Sequence, residues 1–172
     1  MSTAVFISFF LLGLVLIERG GFPDGVAGSG TAPFAVTTFG AILTRNLFIA
    51  ILCFIGGPAI GIMTVPLLAY NGAVLGAIVV YGLEYGLSPL GVALTLVPHA
   101  PIEIAGFLFA ASAGLRLPYE LLRYLRRDRE YPLDRSVVTE ITCLFALGLG
   151  LVVLAAVLET TVTAWVTTWL VG

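Results

Sequence analysis

The chain's single histidine, His99, stands four residues before Glu103 in the apolar run LVPHAPIEIAGF. On a helix that spacing stacks the two side chains on one face. Glu159 ends another apolar run, in AAVLETTVT, and Asn46 and Asn71 interrupt two more. An ionisable group inside a bilayer costs roughly 2.5–3.5 kcal/mol on insertion scales, so an intramembrane carboxylate is a functional candidate by default. The expectation is one buried polar cluster, His99, Glu103, Glu159, Asn46 and Asn71, contributed by four helices.

Three uses of such a cluster compete. As a structural cluster, His99, Glu103 and the asparagines tie helices together by hydrogen bonds. Buried polar groups generally satisfy one another, which places this use first. Such bonds average about 0.6 kcal/mol in membranes, so they set geometry more than stability. As a proton or ion path, Glu103, Glu159 and His99 offer groups that exchange cations, and histidine titrates near physiological pH. A helix broken at Pro98 and Pro101 suits a site at membrane depth, because half-helix ends carry partial charges. As a metal site, one histidine and two carboxylates are legitimate ligands that activate water. No H-E-x-x-H pattern supports this third use, and ligand geometry is invisible in a sequence. No metal and no cofactor are therefore expected.

Other chemistry finds little footing. No G-x-S-x-G elbow occurs, one histidine limits any triad, and no phosphate-binding glycine loop with its lysine is present. No catalytic residue is assigned. Cys53 and Cys143 lie in apolar runs without a C-x-x-C partner, so two small buried hydrophobes are expected, not a disulfide. Glu84 and Glu140 are expected at an interface, and Arg45 snorkels or pairs with a carboxylate.

The elements that position the cluster follow from composition. Hydrophobic residues make up 59% of the 172 and charged residues 10%. A soluble domain carries about 25% charge, and such a chain in water would expose far more apolar surface than it could hide. The lipid bilayer is thus the first partner, and the net charge of −2 gives no case for nucleic acid. Spanning helices need about 20 apolar residues. Five segments meet or approach that: residues 3–17, 34–57, 59–81, 90–115 and 136–158. The first resembles a signal peptide but lacks a positive start, so an uncleaved helix is expected. Gly57-Pro58 breaks the chain between the second and third segments. Pro66 delays or bends the third, and Pro98 and Pro101 interrupt the fourth, leaving a short half-helix over 90–97. The threonine-rich tail is too short for another span, and its Trp165 and Trp169 suit an interface.

Fold class is therefore all-α: a polytopic membrane helical bundle of about five spans, forming one domain over 1–172. Six of the eight arginines fall in 116–135. By the positive-inside rule that stretch is a cytoplasmic loop of a cell-membrane protein, with the N-terminus inside and the C-terminus outside. Its leucines and tyrosines alternate with arginines, so a headgroup-lying amphipathic helix and a solvated loop fit it equally. Small residues recur at helix-packing spacing, as Gly57-x3-Gly61, Gly72-x3-Gly76 and Gly82-x3-Gly86. Such pairs let backbones approach within the chain or, second, across a homo-oligomer seam.

Taken in order, these features resemble the stage II sporulation protein M-like membrane family over about residues 40–165. The matching positions are Asn46, Gly56, Gly57, Gly61, Asn71, Gly72, Gly76, Pro98, His99, Glu103, Glu159 and Thr163. Where family members often have glycine after the histidine, this chain has Ala100 followed by Pro101. The resemblance implies a multi-span scaffold or assembly factor with a membrane or envelope protein partner, as in founding members that support cell-wall-degrading partners during engulfment. Many relatives occur where no spores form. The alternative is a small transporter or ion pathway through His99, Glu103 and Glu159, and a membrane-embedded hydrolase comes third. A cavity reaching the cluster would favour transport, and a closed cluster would favour a scaffold.

Overall fold

A computed structural model describes residues 38–59, 61–128 and 130–171, together with 7, 8, 10, 11 and 15. The glycine- and proline-rich loop over 18–33 lies outside the described residues. So does most of the first expected span, 3–17, of which residues 7, 8, 10, 11 and 15 are helical.

Among the described residues the fold is all helical. Helix α1 (Phe39–Gly56) stops where Gly57 and Pro58 follow, because proline has no amide hydrogen to continue the ladder. Helix α2 (Thr64–Glu84) starts late, with Pro66 in its first turn, where a missing N–H costs nothing. Gly61 turns the chain between them with φ +77°, a region glycine enters freely. Thr64 clamps the turn by donating its hydroxyl to the Cys53 carbonyl at 2.8 Å. After a turn through Gly86, Ser88 caps the short helix α3 (Pro89–Leu96) by accepting from the Gly91 amide at 3.1 Å. The backbone then breaks over Val97, Pro98 and His99 before α4 (Ala100–Leu125). The interrupted fourth segment expected from the sequence is thus two helices.

The arginine stretch is not a loop throughout. Residues 116–125 continue α4, and only 126–134 form the turn to α5 (Arg135–Leu158). Asp134 caps α5 by accepting from the Val137 amide at 2.9 Å. The threonine tail is not a separate piece either. It extends α5 through a wide π turn (Glu159–Thr163) into α6 (Ala164–Val171). Among the described residues, four helical stretches are long and apolar enough to cross a membrane: Phe39–Gly56, Thr64–Glu84, Ala100–Leu125 and Arg135–Trp169.

Helices α4 and α5 run antiparallel and make the largest interface, with α1 packed against both. Close approach depends on glycine. A Cβ on Gly106 would sit 2.9 Å from the Gly148 carbonyl oxygen, and one on Gly114 would overlap the Phe54 carbonyl. Gly57 also meets Gly114, while Ile42 and Asn46 near the start of α1 lie beside Ala100 and Glu103 at the start of α4, so α1 runs parallel to α4. Gly61 touches Leu115, and Gly72 and Gly76 lie buried on α2. The core between these contacts is built from small side chains, Ala50, Cys53, Ala110 and Ala111, around Leu68, Phe107 and Val152. Phe54 and Phe145 stack across it with ring centroids 4.2 Å apart. Such packing substitutes close van der Waals contact for the hydrophobic drive that lipid removes. Cys53 is a buried free thiol as expected, but Cys143 is an exposed free thiol on the outer face of α5.

Candidate functional site

Both long members of the α4–α5 pair lose regular geometry at one level. On one side, α3 breaks into α4 at 97–99. On the other, α5 widens into the π turn at Glu159–Thr163. Helix α3 packs on the π turn and on α6, so the two irregular segments face each other. π turns of this kind occur frequently at functional sites. They meet here in a hydrogen bond, between His99 Nδ1 and Thr163 Oγ1 at 2.9 Å.

Around that bond the sequence-predicted residues converge. His99 precedes the first turn of α4, Glu103 closes that turn, and Glu159 opens the π turn. One ligand atom from each of the three lies within 4.8 Å of the others. The positive N-terminal end of α4 faces this group, which offsets part of the repulsion between two carboxylates. His99 is 8% exposed and Asn46 5%, so both are withdrawn from the surface.

The cluster opens into a cavity of about 220 Å³. Arg45 and Asn46 of α1 and Asn71 of α2 line it alongside His99, Glu103 and Glu159. All five cluster residues expected from the sequence therefore share one cavity. Their partnerships differ. Asn71 uses its side-chain amide within its own helix, donating to the Leu67 carbonyl at 2.8 Å. Arg45 places its positive charge where both carboxylates feel it. Among the described residues, no hydrogen bond and no ion pair within 4.0 Å reaches the Glu103 or Glu159 carboxylate. None of Gly57, Gly61, Gly72 and Gly76 lines the cavity: Gly57 lies against the Gly114 backbone, Gly61 is in the turn beside Leu115, and Gly72 and Gly76 are buried on α2.

Two features escaped the residue-by-residue chemistry. One is the crossing at Gly106, Ala110 and Gly114, whose small-xxx-small spacing is plain in the sequence once α4 is drawn. The other is Glu120. It is fully buried, 3.1 Å from Arg116 and 3.7 Å from Arg123. Its i−4 and i+3 arginines were the available signal. Arg116 also reaches Glu140 at 3.1 Å, so this end of the α4–α5 pair holds a small ion network.

Comparison with known proteins agrees with this architecture. The family model for stage II sporulation protein M matches residues 2–164. An uncharacterized protein of Methanocaldococcus jannaschii is 28% identical over 162 residues, covering 94% of this chain and 90% of that one. No solved structure matches the chain. A match of that extent over an apolar helical bundle places the chain among integral membrane proteins, and it belongs to the stage II sporulation protein M family.

Proposed function

We propose that this protein takes a small cation into an intramembrane cavity and passes it along the His99–Glu103–Glu159 cluster, as a small transporter or ion pathway. The observation that carries this is the cavity itself, which reaches two carboxylates that have no hydrogen-bond or ion-pair partner among the described residues. A purely structural cluster would close on itself, because unsatisfied polar groups in hydrocarbon are costly. This one presents acceptor groups to open space. Glu103 lies 13 residues from Arg116, about 20 Å along α4 at 1.5 Å per residue. With the arginine end cytoplasmic by the positive-inside rule, the cavity sits in the outward half of the bilayer. The chain then crosses with its N-terminus inside and its C-terminus outside.

A specific feature also favours the scaffold role. Tyr119, Leu121, Leu122 and Leu125 are exposed at the arginine end of α4, with Arg116 and Arg123 over the Tyr119 ring at 5.4 and 5.8 Å. An apolar and basic helix end of this kind suits a membrane or envelope protein partner at the headgroup level. Transport and docking occupy opposite ends of the bundle and do not compete for residues.

Reconstitution tests the first function. Vesicles containing the full chain should dissipate an imposed proton or divalent-cation gradient faster than empty vesicles. Glu103→Gln and Glu159→Gln should each return the rate to that of empty vesicles. Wild-type vesicles indistinguishable from empty ones for protons and for Mn²⁺ would overturn the transport assignment.

A further inference from the structure

We propose that His99, Glu103 and Glu159 form an intramembrane binding site for a divalent first-row transition cation. This rests on the cation-binding assignment above and names the cation's chemical class.

The donors come from two elements that the fold brings together over a separation of 60 residues in sequence, from His99 to Glu159. Their ligand atoms lie within 4.8 Å of one another. Two donors bound to one cation at about 2.0–2.2 Å cannot be more than about 4.4 Å apart. Ligand atoms spread over as much as 4.8 Å must therefore draw together on loading. Side-chain torsions give a carboxylate oxygen freedom of this order. Two carboxylates this close cannot both carry charge cheaply in a medium of low dielectric, and Arg45 on the cavity wall supplies a single compensating charge. A divalent cation between them removes the repulsion.

The histidine is held as a metal ligand should be. Metal-bound histidines almost always direct their other ring nitrogen to a carboxylate, carbonyl or similar partner, which fixes tautomer and orientation. In the tautomer whose Nδ1–H donates to the Thr163 hydroxyl, 2.9 Å away, Nε2 is the nitrogen left for a cation. Thr163 is thereby a positioning residue, and the π turn that carries it also carries Glu159.

Donor type selects the cation. One imidazole and two carboxylates suit Mn²⁺, Fe²⁺ or Zn²⁺, and lack the thiolate or thioether that soft Cu(I) requires. Cys53 is buried in the core between α1 and α4, and neither cysteine lines the cavity. With three protein ligands the coordination sphere stays open. The cavity of about 220 Å³ has room for several waters, each taking about 30 Å³, beside the ion. An open sphere exchanges its cation, unlike the four-ligand closure of a structural zinc site.

The test uses the full chain, without a histidine tag, purified in detergent and stripped with chelator. Mn²⁺ is titrated in and its free hexa-aqua signal is followed by electron paramagnetic resonance. One equivalent should bind. Because His99 is the only histidine, nitrogen coupling to the bound ion reports that residue alone. Glu103→Gln and Glu159→Gln should each weaken binding at least tenfold with helical content unchanged, and His99→Ala should remove the nitrogen coupling. Thr163→Val should weaken binding about tenfold while keeping the coupling, as loss of a positioning contact does. If the His99 variant fails to fold, the two glutamine variants decide by themselves. Sub-stoichiometric binding, or binding unchanged in both glutamine variants, would overturn the site. Proton flux without Mn²⁺ binding would sink the metal site and leave the pathway standing. Stoichiometric binding without flux would sink the pathway and leave the site.

Discussion

Helices α4 and α5 carry acidic side chains at both ends of their shared interface, and the two ends treat them differently. At the arginine end Glu120 is fully buried, yet Arg116 and Arg123 stand 3.1 and 3.7 Å away, and Arg116 also holds Glu140. At the other end Glu103 and Glu159 face a cavity with one arginine, one histidine and two asparagines. The first group is compensated inside the chain, and its geometry serves packing. The second is arranged around space. A charge neutralised by its own fold needs no further partner, whereas a carboxylate pair aimed at a cavity is open to one. The backbone shows the same contrast. At the arginine end α4 stays helical even through Pro118, while a broken helix and a π turn flank the cavity. Irregular backbone at membrane depth is tolerated where protein or a water-filled cavity covers it.

Separating the helices at the closed end should damage the protein most. Gly114 is in backbone contact with Phe54 and Gly57, so any side chain there must push α1 away from α4. Gly114→Val is expected to cost at least about 3 kcal/mol, the upper range for overpacking. The protein should be lost from the monodisperse peak on size exclusion in detergent. Wild-type yield and elution would mean that the crossing does not hold the bundle together.

The two kinds of carboxylate should then separate under matched substitutions. Glu120→Ala leaves two arginines facing a buried gap. Breaking a buried pair costs about 3–5 kcal/mol, and the partly exposed arginines reduce this to about 1–3 kcal/mol. Glu103→Gln keeps shape and hydrogen-bonding capacity and should shift the unfolding midpoint little. Glu103→Leu, which discards that capacity in a polar cavity, should be worse than glutamine. Thermal unfolding of the three variants checks the order. Equal losses in Glu103→Gln and Glu120→Ala would show that both carboxylates are structural and erase the distinction between the ends.

What the sequence disclosed follows the same division. Long apolar runs, proline breaks and the spacing of His99 and Glu103 are local signals, and the bundle, the α3–α4 break and the late start of α2 all followed from them. The family resemblance picked out Glu159 and Thr163, and residue chemistry alone reached Glu159. Their distance from His99 stayed hidden, because 60 residues of chain separate the partners. The π turn left no mark in hydropathy, which reads the threonine tail as a weak end and not as the continuation of a 35-residue helix. Glu120 was obscured by its neighbours, since a carboxylate among six arginines looks solvated until α4 is seen to run through it. The α1–α4 contact depended on which glycine faces which helix, a matter of packing that repeats alone do not decide.

Glu140 should matter least to stability and tell most about whether the two ends are coupled. Glu140 pairs with Arg116 at 3.1 Å but is about half exposed, and Arg116 retains Glu120 when Glu140 is neutralised. Exposed pairs contribute about 0.2–1 kcal/mol and are screened by salt, so Glu140→Gln should lower stability by no more than about 0.5 kcal/mol. Raising ionic strength should shrink even that difference. Glu140 lies 19 residues before Glu159 on the same helix, about 28 Å away, well beyond a Debye length in physiological salt. Cation binding and flux at the cavity should therefore be unchanged in this variant. If either one falls while stability holds, the two ends are mechanically joined through α5. The arginine end would then act as part of the site, since a local ion pair of this size cannot reach the cavity by electrostatics alone.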